Sequence, residues 1–138
     1  MTKNRVLFDY DRAARTSVPE EVFSSCPAEV SRHYSFDSLA RTAFCKKLDQ
    51  GHQGSVAVVS AGTADGFVTW EAARTLEFMN IPFQVFEDCG VAGLWRLESK
   101  IEEINRHRII IAVAGMEAAL GSVLAGLTSR PIIGVPTS

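Results

Sequence analysis

This chain lacks the features that announce a membrane protein, a disulfide scaffold or a nucleic-acid binder. Its longest apolar stretches are broken by Gly, Glu or Arg well before the roughly 20 residues needed to cross a bilayer, so no membrane span is expected. Near the N-terminus, Val6-Leu7-Phe8 meets Asp9 too soon to form a signal-peptide core, and cytoplasmic residence is the expectation. Cys26, Cys45 and Cys89 are odd in number and have no CxxC spacing, which argues against both a disulfide framework and a zinc site. Neither charge sign dominates: 14 Lys+Arg stand against 16 Asp+Glu, a formal net charge of -2. A chain so balanced has no field to gather a phosphate backbone, and nucleic acid is not expected as a partner.

What is present is a regular alternation. At 138 residues with 46% hydrophobic content, the chain is long enough for one packed core. From residue 55 onward, short β-branched runs alternate with helical patterns. Ser55-Val56-Ala57-Val58-Val59-Ser60 reads as a buried parallel strand. Val68, Ala72, Leu76 and Met79 then fall at helical spacing until Asn80-Ile81-Pro82. Phe83 to Glu87 is a second strand, followed by a helix to about Arg106 carrying Leu94, Leu97, Ile101 and Ile104. Arg108 to Ala114 is a third strand, Glu117 to about Leu127 a third helix, and Pro131 to Val135 a fourth strand. Strand starts about 23 to 28 residues apart suit right-handed crossovers. The expected fold is therefore α/β: a three-layer, doubly wound, flavodoxin-like parallel sheet. Residues 1–54 are less regular, with short helices expected at Ala13 to Phe23 and Ser38 to Leu48, and Gln50 to Gly54 reads as a linker.

In such a sheet, ligands bind outside the carboxyl ends of the strands, where three loops qualify. Ser60-Ala61-Gly62-Thr63-Ala64-Asp65-Gly66 offers small residues, hydroxyls and a carboxylate before a helix N-terminus, a setting for phosphate or for simple capping. Asp88-Cys89-Gly90-Val91-Ala92-Gly93 has two glycines that suit either backbone approach to a ligand or a tight turn. Cys89 there reads as a packed residue more readily than as a nucleophile. Ala114-Gly115-Met116-Glu117 puts a carboxylate directly after an apolar strand. That carboxylate suits a helix N-terminus electrostatically and is also placed for proton transfer. His33, His52 and His107 lie away from all three loops.

With the loops placed, the sequence resembles the LarB family, whose core resembles the aminoimidazole ribonucleotide carboxylases (PurE-like). The resemblance spans about residues 55 to 138. It rests on Ser60 to Asp65, Gly90-Val91-Ala92-Gly93-Leu94-Trp95-Arg96-Leu97, Val113-Ala114-Gly115-Met116-Glu117-Ala118-Ala119-Leu120 and Pro131 to Ser138. Asp11-Arg12, Arg15 and Pro19-Glu20, with Ser38 to Thr42, are similar to the family's N-terminal region. The resemblance implies a shortened N-terminal appendage over 1–54 and a nucleotide-binding carboxylase core over 55–138. It implies carboxylation of the pyridinium ring of nicotinic acid adenine dinucleotide, with hydrolysis of its phosphoanhydride, giving pyridinium-3,5-biscarboxylic acid mononucleotide for the nickel-pincer cofactor. Bicarbonate or carbon dioxide is the implied co-substrate, magnesium the implied ion, and a homo-oligomer the implied assembly. Glu117 takes the implied role of base, and Ser60, Gly62, Thr63 and Asp65 that of nucleotide binding. Gly90, Gly93, Gly115 and Met116 complete the candidate substrate-binding set.

The family continues beyond the Pro-Thr-Ser segment to a glycine-rich loop, a helix and a nucleophilic cysteine, whereas this sequence stops at Ser138. Relative to the family it also lacks a few tens of residues between Glu20 and Ser38. Cys89 stands where the family has an apolar residue and does not inherit the nucleophile's role. Two other readings therefore stand beside the pyridine one. The first is an aminoimidazole ribonucleotide carboxylase or mutase, although the histidine which that chemistry uses after the second strand is missing from Asp88 to Leu94. The second is an inactive nucleotide-binding remnant or one piece of a split enzyme.

Overall fold

The computed structural model describes residues 14–45 and 54–137. Asp11-Arg12, Gln50 to Gln53 and Ser138 lie outside the described residues.

The apolar runs after residue 55 form one parallel sheet: β4 (Val56–Ser60), β5 (Phe83–Phe86), β6 (Ile109–Ala114) and β7 (Ile132–Pro136). Their spatial order is β5-β4-β6-β7, with Val58 level with both Val85 and Ile111, and Ala112 level with Gly134. All five residues of β4 are buried, which explains why that run shows no polar alternation: helices cover both of its faces. On one face α3 (Gly66–Phe78) packs Leu76, Val68 and Ala72 over Val56, Val58 and Val113. On the other, α4 (Leu94–Glu98), α5 (Ile101–Ile104) and α6 (Ala119–Leu127) place Leu97, Ile104, Leu120 and Leu124 over Ala57, Val59, Ile110 and Ala112. Those four side chains are essentially inaccessible, and each contributes about 1.5–3 kcal/mol of burial. The fold is thus the expected flavodoxin-like three-layer α/β/α sheet.

Two boundaries differ from expectation. The helix expected to run to Arg106 is broken after Glu98, where Ser99 Oγ donates to the Arg96 carbonyl and Lys100 Nζ reaches back to the Glu87 carbonyl at 2.9 Å. The helix expected from Glu117 begins instead at Ala119. Ala118 takes a left-handed φ of 55° and its N–H closes a turn onto the Gly115 carbonyl at 2.6 Å. Glu117 therefore precedes the helix, and a first-turn interaction with its dipole does not account for this residue.

Of the helices expected at Ala13 to Phe23 and Ser38 to Leu48, only Glu20 to Phe23 is helical among the described residues; Ala13 and residues 46–48 lie outside them. Residues 14–45 form a small antiparallel sheet, β1 (Ala14–Arg15), β2 (Ser35–Asp37) and β3 (Thr42–Phe44), ordered β1-β3-β2. Helices α1 (Glu20–Ser24) and α2 (Ala28–Ser31) connect its strands, each entered through a proline at the N-cap, Pro19 and Pro27. Thr42-Ala43-Phe44 is fully buried as the central strand, so pairing on both sides overrides a locally helical pattern. Arg74 of α3 ties this unit to the main sheet. Its guanidinium lies 4.1 Å from the Phe44 ring centroid, donates to Ser35 Oγ at 2.9 Å and pairs with Glu77.

Candidate functional site

From β4 the chain crosses to β5 on one side, and from β6 to β7 on the other. The carboxyl ends of the adjacent strands β4 and β6 are therefore the topological switch point, where a ligand crevice is expected.

The first loop begins at Ser60, 1% exposed at the end of β4. Its main chain is engaged, the carbonyl accepting from Cys89 N–H at 2.9 Å, yet its buried hydroxyl has no hydrogen-bond partner. A turn of 3-10 helix (Thr63–Asp65) leads into α3. Asp65, 7% exposed, organises this turn. One carboxylate oxygen accepts Gly62 N–H at 2.9 Å, the other accepts the Thr137 hydroxyl at 2.5 Å, and its carbonyl accepts the Thr69 hydroxyl at 2.8 Å. Thr63 is exposed.

The second loop is pressed against the first. A Cβ on Gly90 would lie 2.6 Å from the Ala61 carbonyl oxygen, so glycine is required by close backbone approach. Gly93 is buried, its missing side chain leaving room for the Arg96 guanidinium. Arg96 Nε in turn donates to the Asp88 carbonyl at 2.9 Å. Cys89 is fully buried, its sulfur 3.8 Å from Lys100 Nζ. Burial raises the thiol's pKa and outweighs the nearby ammonium, which lowers it, so the thiol stays protonated and is no nucleophile at neutral pH.

The third loop joins the first through Gly115, where a Cβ would lie 3.1 Å from Thr137 Oγ1 and 3.9 Å from an Asp65 carboxylate oxygen. Beyond it the chain turns outward. Met116 is 96% exposed, and the exposed Glu117 carboxylate makes no hydrogen bond or ion pair among the described residues. A recess of about 160 Å³ between β6, β7 and the start of α6 is lined by Ala114, Ala118, Gly121 and Pro136.

The structure thus gathers Ser60, Gly62, Asp65, Gly90 and Gly115 at one point, while Thr63, Met116 and Glu117 stand around it in solvent. It adds Thr137, 72 residues from Asp65, a contact that no spacing rule could find. His107 packs edge-on against Phe86, with Nδ1 near the Glu103 and Ile104 carbonyls, just before β6. That is the opposite end of the strands from the crevice. Among the described residues no group of three or more His, Cys, Asp or Glu side chains could hold a metal ion. No helix there is long and apolar enough to cross a membrane.

Comparison with known proteins finds relatives over part of the chain. The chain is 44% identical over 87 residues to an uncharacterised protein of Methanocaldococcus jannaschii, an alignment covering 62% of this chain and 34% of that one. It is 30% identical over 84 residues to the N5-carboxyaminoimidazole ribonucleotide mutase of the same organism, and 32% identical over 87 residues to that of Haemophilus influenzae. Each of these alignments covers 59% of this chain and 51% of the mutase. The chain thus spans about half or less of the length of these relatives. The family model for AIR carboxylase matches residues 55–138, the four strands and three loops just described, and the chain belongs to the AIR carboxylase family.

Proposed function

We propose that the crevice binds a nucleotide and that the chain is a LarB-type carboxylase core, acting on the pyridine ring of nicotinic acid adenine dinucleotide. The observation that carries nucleotide binding is Ser60: a hydroxyl 1% exposed and unpartnered, at the switch point and beside the N-terminus of a 13-residue helix. A buried polar group left unsatisfied costs about 1–3 kcal/mol, which a phosphate or ribose oxygen would recover. The helix N-terminus favours the same anionic ligand.

Glu117 suits the role of base in this reading because its carboxylate is uncommitted beside the crevice. By the resemblance to that family, a thiolate first adds to the pyridinium ring and makes an enamine-like carbon, which bonds to carbon dioxide; Glu117 then takes the proton which that carbon carried, and departure of the thiolate restores the aromatic ring. The nucleophile that activates the ring is not Cys89, whose thiol is buried and protonated. Bicarbonate or carbon dioxide is the co-substrate. For magnesium, the described residues offer no cluster of three or more His, Cys, Asp or Glu ligands.

The mutase relatives favour a second reading, carboxyl transfer on an aminoimidazole ribonucleotide. The absence of histidine from Asp88 to Leu94 weighs against it. Calorimetry and turnover with each nucleotide plus bicarbonate separate the two. Nicotinic acid adenine dinucleotide bound and carboxylated supports the first, conversion of the aminoimidazole substrate supports the second, and binding without turnover supports a binding remnant. Binding of neither rejects the crevice.

The same reading includes self-association. Helix α3 covers only part of its face, Ile133 is 53% exposed, and a groove of about 290 Å³ runs beside Val68, Ala72, Ile111 and Val135. A second copy would bury this apolar strip. Light scattering should show a dimer or larger that Ile133→Asp dissociates, and a stable monomer of the parent chain would contradict it.

A further inference from the structure

We infer that Thr137 is a positioning residue for the binding loop, holding Asp65 so that Asp65 in turn holds the Gly62 backbone over Ser60. This deepens the nucleotide-binding reading and rests on it for its purpose, but the latch belongs to the ligand-free chain. Asp65 is 7% exposed and both of its carboxylate oxygens already accept, one from Gly62 N–H at 2.9 Å and one from Thr137 Oγ1 at 2.5 Å. A carboxylate so enclosed and engaged acts by shaping the loop, leaving the Ser60 hydroxyl and the loop's backbone N–H groups to meet the ligand.

Thr137 is itself fixed, because its N–H donates to the Ala114 carbonyl at 3.0 Å at the end of the β6–β7 ladder. Gly115 keeps the path open, since a Cβ there would lie 3.1 Å from Thr137 Oγ1 and 3.9 Å from the Asp65 oxygen. The latch therefore spans the ends of β4, β6 and β7, and the far edge of the sheet sets the geometry of the first loop. A hydrogen bond to a carboxylate is about twice as strong as a neutral one, so a single hydroxyl can hold that geometry.

Thr137→Val removes the donor at nearly constant shape, and Thr137→Ser keeps it. Exchange of the Gly62 amide proton, followed by NMR in the ligand-free chain, reads the latch. Calorimetry with nicotinic acid adenine dinucleotide reads its consequence. The Val variant should speed Gly62 exchange and weaken affinity, each on the order of tenfold, and the Ser variant should restore both. Asp65→Ala should show the same fast exchange with or without Thr137→Val, because the two groups act as one unit. Unchanged Gly62 exchange in Thr137→Val, or effects that simply add in the double variant, would overturn the inference. If the parent chain binds no nucleotide, the binding reading fails while Gly62 exchange still decides the latch. If Thr137→Val does not fold, Gly115→Ala crowds the same bond and should speed Gly62 exchange in its place.

Discussion

The loops after β4 and β6 meet at one switch point and are built in opposite ways. In the first, the Asp65 carboxylate is committed on both oxygens, and a neighbouring backbone presses on Ala61 through Gly90. In the third, Met116 and Glu117 stand in solvent ahead of a helix that starts only at Ala119. A loop whose groups are spent on one another is preorganised to receive a ligand, whereas a carboxylate without partners is free to exchange a proton. On the proposed function, the difference divides the crevice into a binding half and a reacting half.

The substitution that tests this division most severely is Glu117→Gln. It should lower turnover on the order of a hundredfold to ten-thousandfold, with substrate affinity within about twofold of the parent. Because the side chain is exposed and unpaired, stability should move by no more than about 0.5 kcal/mol. Near-normal turnover would remove Glu117 from the chemistry, and a large fall in melting temperature would show that the third loop is as interlocked as the first.

Gly90→Ala should behave in the reverse sense. Its Cβ would meet the Ala61 carbonyl oxygen at 2.6 Å, so loop or strand must shift at a cost of about 1–3 kcal/mol. Calorimetry should find the melting temperature lowered by roughly 5–15 °C. An unchanged value would mean that the first two loops are looser than their geometry implies.

Asp65→Ala should weaken nucleotide binding about tenfold through the loop it organises. Calorimetry on a folded variant checks this, and parent-like affinity would reduce the carboxylate to a capping role. The smallest effect is expected at Cys89, in the second loop, whose N–H donates to the Ser60 carbonyl of the first. Cys89, buried and kept protonated, should react with iodoacetamide at pH 8 on the order of tenfold more slowly than the half-buried Cys26. Because burial raises its folded pKa, the stability that this thiol contributes is present below the ordinary thiol range and is lost as pH rises from that range through the raised folded value. Equal labelling of the two cysteines, read by peptide mass spectrometry, would mean that the second loop opens readily.

The alternation of β-branched runs and helical spacing from residue 55 determined the layer structure, because each period records which side chains leave water. It also placed the three loops at strand ends, since short loops between such elements leave little choice of position. Composition excluded a strong positive field and long apolar spans for the same local reason.

Residues 14–45 were illegible in the same terms. Whether Thr42-Ala43-Phe44 forms a strand or a helix depends on partners, Ala14-Arg15 and Ser35-Phe36-Asp37, that lie far along the chain, and pairing energy overrides a weak local preference. The broken helix at Ser99-Lys100 was hidden because Lys100 answers to a carbonyl on another strand. Within the site, the pattern offered Ser60, Gly62 and Asp65 as candidates, but only the tertiary structure decided that Asp65 is spoken for and that the Ser60 hydroxyl is not. Hydrogen bonds between strand ends 72 residues apart depend on crossover handedness and sheet order, which bring Thr137 beside Asp65 once the whole sheet is assembled.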